Sequence, residues 1–161
     1  MHQSDVDLAD SRKITITRSF DAPRALVFRM WTEPAQLRRW WGLRDSTIVH
    51  CEVDLRVGGT FRIDMRTSEG ITYVNRGVYL EVVADEQIAY EDLRDADVRA
   101  RIPTGRHTIR FADGKNATIV TLTSEFDTPP DRTLMVNSGM IGGIQQSLER
   151  LADILAASTL I

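Results

Sequence analysis

The residues able to act as acids, bases or metal ligands are spread thinly along this chain. Its three histidines are scattered: His2 lies near the N-terminus, and His50 and His107 each stand alone in a strand-like segment. No two histidines have a spacing that would place them on one face of a helix or strand, so we expect no metal and no other cofactor. The sequence also lacks a Gly-x-Ser-x-Gly nucleophile motif. A catalytic role would fall to His107, Tyr79 and Glu81, provided that a pocket displaces their pKa values.

Several side chains are better suited to binding than to catalysis. Tyr79 and Tyr90 lie in apolar segments, where a ring can pack while its hydroxyl group bonds to a ligand. Glu81 lies in the same apolar run, and a charge pointing inward there would hold the polar end of a ligand. Trp41 precedes Gly42 and is the tryptophan best placed to form a ligand-facing wall, whereas Trp31 and Trp40 are expected in the core. Met65 and Met140 carry adaptable side chains that can line a pocket or fill a core.

Composition and charge exclude several classes of function. The 161 residues fit one domain, and a formal net charge of -3 does not indicate a nucleic-acid surface. No segment approaches the roughly 20 apolar residues that cross a bilayer, so no membrane insertion is expected. The single cysteine, Cys51, cannot form an internal disulfide and is expected as a buried thiol in a reducing compartment. We therefore predict a cytoplasmic protein with a flexible tail over residues 1–12.

Hydrophobic periodicity predicts a strand, two short helices, about six strands and a long final helix. Residues 13–19 alternate between apolar and polar, which is typical of a half-buried strand. Asp21 and Pro23 are expected to start the first short helix, and Gly42 to end the second. The later strands are predicted at 46–54, 60–68, 72–83, 87–94, 106–112 and 117–126. The stretch 95–105 is charged and poorly patterned, so it is either a long loop or a frayed strand.

The C-terminal segment predicts one long amphipathic helix over residues 131–157. Its apolar residues recur at spacings of three and four from Ile141 to Leu155, with polar residues on the opposite side. Glycines at 139, 142 and 143 weaken this helix. They indicate either close packing or a kink, or else room for a ligand beside the helix.

The predicted fold class is α+β, with a curved antiparallel sheet of about six or seven strands wrapped around the long helix in one domain over 13–158. Because most strands are joined by short turns, they must pair antiparallel. One face of such a sheet is apolar, and the stripe on the final helix is the only large apolar partner for it.

The order of motifs resembles one known family. The motifs are Phe20-Asp21-Ala22-Pro23, Val27-Phe28 with Trp31, Trp40-Trp41-Gly42, Gly58-Gly59 before Phe61-Arg62-Ile63-Asp64-Met65, Gly77-Val78-Tyr79-Leu80-Glu81-Val82 and Ser147-Leu148-Glu149-Arg150-Leu151. They resemble the branch of the START-like (SRPBCC) superfamily named after an activator of a heat-shock-protein ATPase, and the similarity covers about residues 14–155. The resemblance implies a helix-grip (Bet v-type) fold with an internal cavity.

The function predicted from these observations is binding of an apolar or amphipathic small molecule in that cavity. The expected lining residues are Trp41, Phe61, Ile63, Met65, Tyr79, Glu81, Tyr90, His107, Met140, Gly143 and Ile144. One alternative is an enzyme, such as a cyclase, dehydratase or hydrolase, that uses the same cavity. Another is an accessory protein of a chaperone ATPase. The apolar C-terminal residues Leu160 and Ile161 leave a homodimer possible.

Overall fold

The computed structural model describes residues 4–93 and 102–158, and these residues form one antiparallel sheet of eight strands. The strands are β1 (Asp5–Asp7), β2 (Lys13–Phe20), β3 (Thr47–Val53), β4 (Thr60–Arg66), β5 (Thr72–Val83), β6 (Gln87–Asp92), β7 (Arg106–Gly114) and β8 (Ala117–Glu125). Their order in the sheet is β1-β2-β8-β7-β6-β5-β4-β3. The helices are α1 (Arg24–Thr32), α2 (Pro34–Trp40), α3 (Pro129–Asn137) and α4 (Met140–Ser158).

The sheet has one apolar, concave face because its strands alternate. In β2, Ile14 and Ile16 are each only 1% exposed, whereas the intervening Thr15 is half-buried. The same face receives Phe111 of β7 and Val120 of β8, both fully buried. This apolar face must be covered, and the four helices supply the cover.

The C-terminal half of α4 is the most tightly seated part of that cover. Leu148, Leu151 and Leu155 recur at helical spacing and are 1%, 0% and 2% exposed. The short helices close another part of the core with an aromatic pair, Trp31 and Trp40, whose ring centroids are 4.5 Å apart. The indole N–H of Trp40 donates to the carbonyl oxygen of Met30 at 2.8 Å, so its one polar atom is satisfied. The arrangement is the helix-grip α+β fold that the sequence predicted.

The predicted single helix over 131–157 is wrong: the segment forms two helices, α3 and α4. Ser138 and Gly139 separate them, and Gly139 has a φ of +89°, which is a backbone conformation that ends a helix and favours glycine. Gly142, by contrast, faces open space, so the close packing proposed for the glycines is absent at that position.

Two other expectations also need amendment. Asp5–Asp7 pair with β2 as strand β1, so part of the predicted tail over 1–12 belongs to the sheet. Helix α1 begins at Arg24, and its N-cap position is occupied by Pro23, not by Asp21.

Residues 94–101 and the C-terminal pair Leu160 and Ile161 lie outside the described residues. Within the described ranges, no helix is both long and apolar enough to span a bilayer.

Candidate functional site

Four rings form a continuous line across the concave face, which we call the aromatic row: Phe61, Tyr79, Tyr90 and His107. Strand register brings them together, because Tyr79 pairs with Tyr90 and Tyr90 pairs with His107. The ring centroid of Phe61 lies 5.5 Å from Tyr79 and 4.9 Å from Tyr90, the latter edge to face. The Tyr90 and His107 rings are 4.9 Å apart and tilted by 34°. Contacts between aromatic rings in such geometries stabilise their arrangement by more than burial of the rings alone.

A glycine opposite Phe61 makes room for the aromatic row. Gly77 pairs with Phe61 across β4 and β5. A Cβ atom added at Gly77 would lie 2.5 Å and 2.6 Å from two carbons of the Phe61 ring. The ring therefore lies close against the backbone of β5, an approach that only glycine permits.

Next to the aromatic row, three side chains form a hydrogen-bonded line that we call the polar chain: Asp92, His107 and Ser124. Nε2 of His107 lies 2.9 Å from Oδ2 of Asp92, and Nδ1 lies 2.8 Å from Oγ of Ser124. The backbone N–H of Gly105 donates to the same Oδ2 at 2.9 Å, which holds the carboxylate in place. The side chain of His107 is only 13% exposed, so this histidine is fixed at both nitrogens inside the fold.

Sequence reasoning missed Asp92 and Ser124 as partners of His107. The available signal is Ser124 itself, a buried polar residue in a strand whose neighbouring inward positions, Leu122 and Val120, are apolar. Only the pairing of His107 with Ser124 across β7 and β8 shows what that hydroxyl meets.

The helical cover is less tightly closed at α3 and the first turns of α4 than at the C-terminal half of α4. Helix α3 contains no buried residue. It lies over the start of β2, because a guanidinium N–H of Arg132 donates to the carbonyl oxygens of Leu8 and Lys13 at 3.2 Å and 3.4 Å. In the first turns of α4, the inward residues Met140 and Ile144 are half-buried, although both pack against the core.

The first half of α4 is held from its other side by the loop after α2. The backbone N–H of Gly42 donates to Oγ of Ser147 at 3.0 Å, and that hydroxyl is 2.9 Å from the carbonyl oxygen of Gly42. Gly143 faces the same loop, where a Cβ atom would make an ordinary 3.5 Å contact with Leu43. Met65 reaches this loop as well, because its Sδ lies 2.7 Å from a Cβ atom built at Gly42.

Most of the predicted lining residues lie on the apolar inside of the fold. Phe61, Ile63 and Tyr79 are buried in the core, and a second group is partly buried against it: Trp41, Met65, Tyr90, Met140 and Ile144. His107 packs against Tyr90 of the second group. Gly143 instead lies beside Leu43, at the edge of this region. Their role in holding a ligand stays a prediction.

The prediction that Glu81 lines the inside of the fold is wrong, because the structure places this residue on the outer face of the sheet. It pairs with Ala89, which lies between the inward-facing Ile88 and Tyr90 and therefore faces the other side of the sheet. A bulge between Tyr79 and Glu81 causes this reversal. Glu81 lines an open outer pocket of about 370 Å³ together with Arg24, Val83, Glu86, Gln87, Arg110, Phe111, Ala112 and Asp113. This pocket is separate from the aromatic row.

Burial controls the ionisation of the inner groups. It raises the pKa of Tyr79 and Tyr90 above the ordinary range of a phenol, so both hydroxyl groups stay neutral at physiological pH. Burial also raises the pKa of the Cys51 thiol, as expected of a structural cysteine. Within residues 4–93 and 102–158, no group of three potential ligand side chains is arranged to hold a metal ion.

The sequence matches the model of one known protein family. The family model described as "Activator of Hsp90 ATPase homolog 1-like protein" matches residues 21–156. The chain belongs to this family. No curated protein is similar enough in sequence to match.

Solved structures of this fold come from several bacteria. A protein from Nitrosomonas europaea is 26% identical, with a TM-score of 0.83 over 94% of this chain and 98% of that one. One from Mycobacterium smegmatis is 22% identical, with a TM-score of 0.84 over 94% and 95%. CalU16 from Micromonospora echinospora is 18% identical, with a TM-score of 0.64 over 99% and 88%. The last two likenesses show the fold alone.

Proposed function

We propose that this member of the family binds an apolar small molecule between the aromatic row and the paired helices α3 and α4. The observation that carries the proposal is the contrast within the cover. Leu148, Leu151 and Leu155 are 0–2% exposed, whereas Met140 and Ile144 are half-buried and α3 buries no residue. The cover is thus loosest at its α3 end and the first turns of α4.

Entry of the ligand would require α3 to move. Met135 and Val136 of this helix pack against the core but are only partly buried, so little apolar burial opposes that movement. The helix is held by the Arg132 hydrogen bonds to the start of β2 and by its own N-cap, where the Thr128 hydroxyl accepts from the N–H of Asp131 at 3.2 Å. Elements with little buried apolar surface open at low free-energy cost. The aromatic row would be uncovered by this movement, and a bound apolar ligand would shield its rings from water.

The test is native mass spectrometry of the purified full chain, followed by titration with a fluorescent naphthalene probe. A stoichiometric apolar molecule, or saturable probe binding, would support the proposal. Ile144→Trp fills the loosely covered space and should weaken probe binding by about tenfold or more, since overpacking excludes the ligand. Ala157→Trp adds the same ring at an exposed position of α4 and should leave binding unchanged. Equal binding by wild type and both variants would refute this location.

The polar chain favours a second candidate function, hydrolysis of an apolar ester. An imidazole held by a carboxylate and bonded to a serine hydroxyl is the arrangement that activates a nucleophile, and here Ser124 occupies that position. A fluorophosphonate probe should then label wild type and fail to label Ser124→Ala. Absence of labelling, together with no turnover of naphthyl esters, would remove this candidate.

The other expectations from the sequence stay predictions. The name of the family suggests a chaperone accessory, which is tested by measuring the ATPase activity of Hsp90 with and without this protein. A homodimer is tested by light scattering, and a cytoplasmic location by fractionation of cells.

A further inference from the structure

The polar chain fixes the positions of its hydrogen atoms. Oδ2 of Asp92 accepts the N–H of Gly105, and an ionised carboxylate can only accept. Nε2 of His107 lies 2.9 Å from that same oxygen, so Nε2 carries the hydrogen atom. In a neutral imidazole the other nitrogen then has only a lone pair. Nδ1 must therefore accept from the hydroxyl of Ser124 at 2.8 Å.

This assignment determines what Ser124 can offer to a ligand. A serine hydroxyl has one hydrogen atom and two lone pairs, and the hydrogen atom is committed to His107. Oγ of Ser124 is therefore an acceptor only. The phenol groups of Tyr79 and Tyr90 can both donate and accept, so they impose no such preference. The carboxylate of Asp92, with a side chain 34% exposed, disfavours a negatively charged ligand nearby.

Ser124 lies where the loose part of the cover begins. It is the penultimate residue of β8, and only a short connection through Phe126 separates β8 from the first turn of α3. Ser124 is 6% exposed in the present arrangement, so a ligand must displace part of the cover to reach its oxygen. Helix α3 buries no residue and follows β8 directly in the chain, so its displacement would both open Ser124 and admit the ligand to the aromatic row.

We propose that Ser124, oriented by His107 and Asp92, accepts a hydrogen bond from the ligand. The ligand class is then a neutral apolar molecule that carries a hydroxyl group, such as a phenol or an alcohol, rather than a ketone, ether or carboxylate. This inference rests on the proposed binding function and adds the polarity of the ligand to it.

The test compares three probes with one ring system: 2-naphthol, 2-methoxynaphthalene and 2-naphthoate. Binding is measured at about pH 8, above the ordinary titration range of imidazole. Wild type should bind the naphthol roughly 3- to 10-fold more tightly than the ether, as expected for one neutral hydrogen bond. The naphthoate should bind most weakly. Ser124→Ala should reduce the naphthol-to-ether ratio to about one. Thr123→Ala, which changes the opposite face of the same strand, should keep the ratio.

Each outcome decides between the two proposals. If the ether binds as tightly as the naphthol, or if Ser124→Ala keeps the preference, this inference is overturned while apolar binding stands. If none of the three probes binds, the proposed function fails and this inference fails with it. A second measurement on the unliganded wild type avoids any folding defect of the variant. Long-range ¹H–¹⁵N spectra should show His107 with its hydrogen atom on Nε2, and a hydrogen atom on Nδ1 instead would overturn the assignment.

Discussion

Substitution of Gly77 by alanine tests how the aromatic row is seated. The new Cβ atom would lie 2.5 Å and 2.6 Å from carbons of the Phe61 ring and 3.2 Å from the carbonyl oxygen of Glu91. Ordinary contact distances to carbon are about 3.5–4.0 Å, so the ring or the strand must shift by about 1 Å. Phe61 cannot turn freely, because Tyr79 and Tyr90 contact it.

We expect Gly77→Ala to lower the free energy of unfolding by about 1–3 kcal/mol, the usual cost of overpacking. For a domain of this size, such a loss corresponds to a fall in Tm of roughly 2–12 °C. Urea and thermal denaturation followed by circular dichroism measure both quantities. The strand itself does not resist alanine, since glycine within a strand is weakening on its own.

A double-mutant cycle identifies the Phe61 ring as the cause. Phe61→Ala alone should cost about 3–5 kcal/mol. In that background the obstructing ring is gone, so Gly77→Ala should cost little or should stabilise the protein. The reasoning is refuted if Gly77→Ala is as stable as wild type, or if its cost is the same with and without Phe61.

Three further predictions follow from the same structure. Gly142→Ala should raise the free energy of unfolding by about 1 kcal/mol in urea melts, because its Cβ atom meets nothing within 4 Å in helix α4; a loss of stability would show a constraint not seen here. Burial raises the pKa of Tyr79 and Tyr90, so these phenols ionise at lower pH in the unfolded chain than in the folded protein. The stability that they contribute is therefore fully present below about pH 10 and is lost above it. The free energy of unfolding should fall by up to about 1.4 kcal/mol per pH unit for each tyrosine. Tyr90→Phe should reduce that slope in urea melts at alkaline pH, and an unchanged slope would contradict the assignment. Cys51 is buried and its pKa is raised, so iodoacetamide should alkylate it far more slowly in the native protein than in urea; equal rates would show an accessible thiolate.

The strands of the sheet were predictable because their alternation is strong and their turns are marked. The predicted ranges 60–68, 72–83 and 117–126 differ from β4, β5 and β8 by two residues or fewer at each end. The division of the final helix was not predictable in the same way. The apolar stripe runs unbroken from Ile141, which lies after the break, and spacing alone gave no sign that Gly139 takes a positive φ.

The candidate site was predictable residue by residue but not as an arrangement. Tyr79, Tyr90 and His107 attract attention as polar rings in apolar strands, but a single sequence does not show which of them are neighbours. Register decides that, and register also joins Ser124 to His107. Glu81 failed for a related reason: a spacing of two from Tyr79 places both on one face of a regular strand, and the bulge between them removes that regularity.

The pairing of β2 with β8 sets the order in which this chain can fold during synthesis. β2 is made early, and except for the three residues of β1 its ladder partner is the last strand to leave the ribosome. The buried residues of β2, such as Ile14 and Ile16, therefore meet their neighbours in β8 only after most of the chain has been made. Contacts between distant parts of a sequence form late, because closing a long loop costs entropy before the contacts repay it. A nascent chain that stops before β8 would thus leave the edge of its first long strand largely unpaired and the apolar residues of that strand uncovered. Holding chaperones and aggregation would then compete for it.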